Sequence, residues 1–302
     1  MITNTPSPLR GVLWMFASGL CFVAVTAFVK AVGTALPSTQ TAFLRFLMGT
    51  LFILPLLPHF RGANLGPRAL RMFGLRGALQ ASGSILWFYA MATIPMAEVT
   101  AMNYMTPIYI TLGAALFLGE ALKIRRIAAI LVAFIGALII LRPGLREVLP
   151  GHLAMIGTAI FFAASYLMAK RMTDTVHPSV VVGMLTLWVT LFLAPFAIAV
   201  WVPPTPTQLA LLFLVAGFAT AGHYTMTLAF KAAPVTLTQP VTFLQLIWSA
   251  LIGLVVFAEA IDPFVVLGGV VIMASVAFIT WREAQLARAA KRPPEALVKA
   301  VP

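Results

Sequence analysis

The sequence predicts an all-α integral membrane protein whose ten transmembrane helices form two five-helix inverted repeats around a central cavity. Three observations carry that prediction. The chain has too few charges to coat a soluble surface, it contains ten long apolar runs, and its second half repeats its first.

Charged residues make up 9% of the 302 positions and hydrophobic ones 61%, and the mean hydropathy is +1.01. A soluble domain carries about a quarter charged residues, so water is not the main solvent of this chain. A run of about 20 mostly apolar residues crosses the bilayer core as a helix. Such runs lie at approximately 11–32, 40–57, 72–93, 98–119, 127–141, 152–169, 179–201, 209–230, 236–257 and 263–281. They are continuously apolar rather than alternating, which sets aside a β-barrel. The first is preceded by a single basic residue, Arg10, and followed by nine more runs, so it reads as an uncleaved helix and not a signal peptide. The one cysteine, Cys21, excludes an intrachain disulfide.

The net charge of +12 is distributed as a membrane protein requires, not as nucleic-acid binding would. With the N-terminus in the cytoplasm, sixteen Lys and Arg fall inside, including Arg61, Arg68, Arg71, Arg76, Arg125, Lys170 and the tail. Only Lys30, Arg142 and Arg146 fall outside, and Arg45 lies within a span. That asymmetry is the positive-inside rule, and it places both termini in the cytoplasm of a bacterial inner membrane. The basic tail over 286–302 is expected to be disordered and to rest on anionic headgroups.

The halves correspond at offsets of 139 to 141 residues: Gly83 with Gly222, Pro95 with Pro234, Glu120 with Glu259, and Phe22 and Lys30 with Phe162 and Lys170. The repeats are read as 1–143 and 144–285, joined through "LRPGLREVLPGH" at 141–152, a Pro/Gly-marked turn. Five spans per repeat is an odd number, so the second copy enters the membrane inverted. Secondary transporters commonly use this plan, with the substrate site near the midplane between repeats.

Polar side chains inside spans mark candidate sites, because at that depth they face the bundle or a wet cavity. In the third span Arg76, Gln80, Ser84, Trp87 and Met91 fall on one face, matched in the eighth by a face containing His223. In the fourth, Asn103, Thr106 and Tyr109 recur at three-residue spacing, with counterparts Thr242, Gln245 and Trp248 in the ninth. Ser18, Phe22 and Thr26 pair with Thr158, Phe162 and Tyr166 more weakly. The candidate binding residues are therefore Arg45, Gln80, Ser84, Trp87, Asn103, Thr106, Tyr109, Tyr166, His223, Gln245 and Trp248. The same groups also serve as glue between helices, and Arg45 also suits snorkelling to the interface. Facing a cavity, it would attract a carboxylate or phosphate. Pro107 and Pro240 each remove a helix hydrogen bond and are expected to kink or hinge their spans. Glu120 and Glu259, in "LGE" and "FAE", read as structural caps for the helices that follow, and Glu98 complements the start of the fourth helix. The eight acids all lie in loops or at span ends, so a proton-coupled step would fall to His223, Glu98 or the solute.

The chain resembles the EamA type of the drug/metabolite transporter superfamily over roughly residues 10–285. The likeness rests on "FLRF" around Arg45, "IPMAEVTAMNYMTPIYITLGAALFLGE" at 94–120, "LRPG" at 141–144, and "AFKAAPVTLTQPVTFLQLIWSALIGLVVFAE" at 229–259. It implies a ten-helix basket with spans 1, 3, 4, 6, 8 and 9 around the cavity and spans 5 and 10 peripheral, where a homodimer would form. Similar proteins include carriers of riboflavin or S-adenosylmethionine and exporters of amino acids and their derivatives. Those carriers often have an acid where Thr26 stands, which lowers the fit to a cationic solute. A receptor without transport is the rival reading. A membrane-embedded enzyme fits least, since Asp occurs only at 174 and 262 and the four His are scattered. No cofactor, metal or nucleic acid is expected; the partners are a small-molecule substrate and the bilayer.

Overall fold

The computed structural model describes residues 8–56, 58–61, 65–118, 124–145, 147–173, 176–232, 241–242 and 244–290. Span 1 is Pro8–Val32; span 2 is Ser38–Gly49 with a 3-10 continuation Leu51–Leu56; span 3 is Pro67–Thr93. Span 4 comes in two pieces, Met96–Asn103 and Thr106–Leu118, and span 5 is Ile124–Leu141. Spans 6 to 8 are Pro150–Thr173, Pro178–Ala199 and Pro206–Ala232; span 9 includes Leu244–Phe257, and span 10 is Pro263–Ala290. Proline opens six of these helices, at a position where its missing N–H has no intrahelical partner to lose. Leu9–Val32, Pro150–Ala169, Ser179–Ala199 and Pro206–Met226 are each long and apolar enough to cross a membrane alone. Many large apolar side chains are exposed, Leu131, Ile135, Leu191, Val255 and Leu267 among them, as a lipid-facing surface requires.

The repeats grip each other rather than folding as separate units. The closest helix pairs are span 1 with 8, span 3 with 6, span 5 with 10, and span 2 with 7. When spans 1–5 are matched to 6–10, the 1·8 pair becomes the 6·3 pair, while 2·7 and 5·10 map onto themselves. That is two-fold pseudo-symmetry, and it reaches individual atoms. Ser18 Oγ donates to Gly222 O at 2.9 Å, and its counterpart Thr158 Oγ lies 3.4 Å from Gly83 O. At both places the backbone comes close to an aromatic ring. A Cβ on Gly83 would stand 2.6 Å from the Phe162 ring, and one on Gly222 3.2 Å from the Phe22 ring. The residues that repeat in sequence thus touch each other across the repeat interface.

Candidate functional site

The third span supplies the core of the site. Arg76, Gln80 and Ser84, one turn apart on one face, are all buried, Arg76 at 4% exposure. Arg76 Nη1 donates to Val181 O of span 7 at 3.0 Å, but its Nε has no partner, and neither does Gln80 Oε1. Arg45 of span 2 reaches the same region. Arg45, Arg76, Tyr166 of span 6 and His223 of span 8 are close enough to interact electrostatically. The Arg45 guanidinium carbon lies 3.9 Å from the Phe46 ring centroid. His223 stands edge-on to Phe22 at 5.1 Å between centroids, and Tyr166 is 6.1 Å from Phe162. Tyr166 itself is 37% exposed. Next to it, Ser165 Oγ is buried without a partner. Arg45, Tyr166 and His223, all singled out in the sequence, therefore lie within electrostatic reach of one another or of Arg76.

Span 4 is interrupted by a tightened turn. Its first piece ends at Asn103, and Tyr104 and Met105 form the turn before the second piece starts at Thr106. Pro107, expected to kink this span, follows the turn at the second position of the second piece, where its missing N–H costs no hydrogen bond. Backbone donors at the turn are still satisfied, Met105 N by Met102 O at 3.0 Å and Tyr109 N by Met105 O at 3.1 Å. Span 9 braces the turn: Tyr104 OH donates to Thr242 O at 3.0 Å, and Thr100 Oγ donates to Ser249 Oγ at 2.9 Å. Thr106 Oγ is buried and unpartnered, whereas Asn103 is exposed.

The remaining expected residues are more dispersed. Tyr109 turns its ring edge to Phe134 of span 5, 6.0 Å away. Trp87 is half-buried against its neighbour Phe88. Gln245 lies against Gly19 of span 1, and Trp248 is 38% exposed. Thr26 donates to the carbonyls of its own helix, Val23 O at 2.7 Å. Pro240 and Glu120 lie outside the described residues.

Glu259 corrects an expectation. It does not cap the helix that follows it; its Oε2 accepts from Met96 N at 3.0 Å, capping span 4 of the other repeat. Its other oxygen pairs with Lys30, which also donates to Ile94 O at 3.0 Å. Two more pairs lie at the same end of the bundle. Arg142 meets Asp262, and Glu98 meets His152 at 2.5 Å with both fully buried. Leu149 N donates to His152 Nδ1, so Nε2 carries the imidazole proton and donates it to Glu98. All three pairs join residues of the first repeat to residues of the second.

Arg76, which the sequence places both among the cytoplasmic cations and on the polar face of the third span, lies more than two turns inside the helix because span 3 starts at Pro67 and not near residue 72. Away from this cluster, an apolar groove of ≈ 350 Å³ runs between spans 5 and 10, lined by Ala129, Val132, Ala274 and Phe278 among others.

Comparison with known proteins adds the following. The model of the EamA-like transporter family matches residues 9–142 and 149–281. A riboflavin transporter of Vibrio cholerae is 32% identical over 93% of this chain and 96% of its own length. An S-adenosylmethionine uptake transporter of Rickettsia prowazekii is 27% identical, covering 91% and 94%. One solved crystal structure superposes with a TM-score of 0.62 at 21% identity, over 95% of this chain and 100% of the other; it supports the fold.

Proposed function

The chain belongs to the EamA-like transporter family of the drug/metabolite superfamily, and on that premise we propose that it carries a flat, aromatic or nucleoside-like solute across the bacterial inner membrane by alternating access. The observation that carries this reading is the interrupted fourth span, braced by span 9 and set in the interface between inverted repeats. Transporters place such discontinuous helices at their substrate sites and rock one repeat against the other around them. Aromatic groups near the polar cluster, Phe22 beside His223 and Phe162 beside Tyr166, suit a planar ring. The likeness to a riboflavin transporter points the same way. Export of an amino-acid-like metabolite is the second reading, favoured by two arginines that would hold a carboxylate. Both termini lie in the cytoplasm, following the distribution of Lys and Arg, so the ion-paired end faces outward. Spans 5 and 10, with the groove between them, are the faces for a homodimer.

Proteoliposomes containing the purified protein test this directly. Saturable uptake of radiolabelled riboflavin, competed by unlabelled flavin and absent from empty vesicles, is the expected result. Binding without flux would make the protein a receptor. Flux of amino acids with none of flavins or nucleosides would move the reading to export.

A further inference from the structure

We infer that the central site takes an anion, so that the solute presents a carboxylate or phosphate to Arg45 and Arg76. This inference rests on the reading of the chain as a carrier of a flat organic solute. A charge inside a membrane is expensive and is retained only with a partner or a purpose. Arg76 is 4% exposed, spends one of its donors on Val181 O, and leaves Nε unmatched. A guanidinium offers five N–H groups in a planar fork suited to carboxylate and phosphate. Arg45 adds a second positive charge within electrostatic reach of the same Tyr166 and His223. Among the described residues neither arginine has an acid partner. Glu98, Glu259 and Asp262 are committed elsewhere, to His152, Lys30 and Arg142.

The contrast with those pairs is what makes the arginines informative. This chain supplies a counter-ion where a cation has only to hold the fold, as for Lys30 and Arg142. At the centre it gathers two cations beside Tyr166, unpartnered Ser165 and, one turn from Arg76, unpartnered Gln80. A solute arriving with its own negative group would complete the set. A cationic solute without an acidic group would meet only like charges there.

The experiment compares riboflavin with riboflavin 5′-phosphate, two ligands with one ring system and different charge, and with glycerol 3-phosphate, which lacks the ring. Binding is read by thermal stabilisation and by titration in phosphatidylcholine nanodiscs. The phosphate form is expected to bind at least about tenfold more tightly than riboflavin, as charge-assisted bonds to a guanidinium fork imply. R45Q and R76Q should bring the two within about twofold, while R45K, which keeps the charge, should retain the preference. R45Q breaks no hydrogen bond among the described residues, so it decides the matter if R76Q melts far below the parent.

Equal or tighter binding of neutral riboflavin would overturn the anion site and leave the flat-solute reading standing. Glycerol 3-phosphate binding as tightly as the flavin phosphate would keep the anion site and overturn the flat-solute reading. Adding phosphatidylglycerol separates the two sources of phosphate. If it abolishes flavin phosphate binding in the parent but not riboflavin binding, the anion belongs to lipid and the inference fails.

Discussion

At one end of the bundle Lys30, Glu98, Arg142, His152, Glu259 and Asp262 each have a partner from the opposite repeat. In the middle, Arg76 Nε, Gln80 Oε1, Thr106 Oγ and Ser165 Oγ are buried with none; Arg142 Nε at the paired end and Ser275 Oγ in span 10 are left so too. A buried polar group left unpaired costs about 1–3 kcal/mol, and at Arg142 the ion pair with Asp262 offsets that cost, whereas neither central arginine has an acid partner among the described residues. The paired end holds the two repeats in register. On the proposed reading, the unpaired centre gives up stability for solute binding.

Substitutions in the two regions should therefore fail in opposite ways. The largest effect on stability is expected at the fully buried pair. His152→Ala takes the imidazole from the buried Glu98 carboxylate and the acceptor from Leu149 N–H, and should cost about 3 kcal/mol with little change in solute affinity, read by thermal melting and ligand titration on one sample. A large loss of affinity with unchanged melting would erase the distinction between the regions. Gly83→Ala comes next. Its Cβ would collide with the Phe162 ring, at about 2 kcal/mol of overpacking. Gly222→Ala, with a 3.2 Å approach, should cost less, and the reverse order would argue against the pseudo-symmetric packing.

Weakening the Lys30–Glu259 pair, less deeply buried than Glu98–His152, should be milder still. Glu259→Gln keeps an acceptor for Met96 N but loses the charge, for about 1 kcal/mol. If this end closes the outer side during transport, the maximal rate should change by a few-fold while the solute concentration at half-maximal flux stays constant. The smallest stability effect belongs to the centre: Gln80→Leu removes an oxygen with no partner and should leave melting within about 0.5 kcal/mol of the parent while weakening solute binding. Strong destabilisation by Gln80→Leu would show that the amide serves the fold.

The architecture is written in the order of the residues alone. Ten spans, their approximate limits, the inverted duplication and the family were all legible, because lipid requires each crossing to be a self-satisfied apolar helix and a duplicated gene repeats its residues at a fixed offset. Candidate site residues were legible only as polar groups on particular helix faces. Which of them meet was decided by the tertiary structure. Arg45, Tyr166 and His223 converge on Arg76 because spans 2, 3, 6 and 8 cross there, whereas Tyr109, of equal promise by spacing, turns to Phe134. Pro107 marked a disturbance but not its form: the helix tightens into a turn at Tyr104 and Met105, two residues earlier, and span 9 supplies the bonds that brace the turn. Glu259 looked like a local cap, yet its partners Lys30 and Met96 lie more than 160 residues away. Helices and repeats follow from local pattern and solvent. The pairing of charges, and the two arginines left without any, depends on how two inverted copies are pressed together, which spacing along one chain does not record.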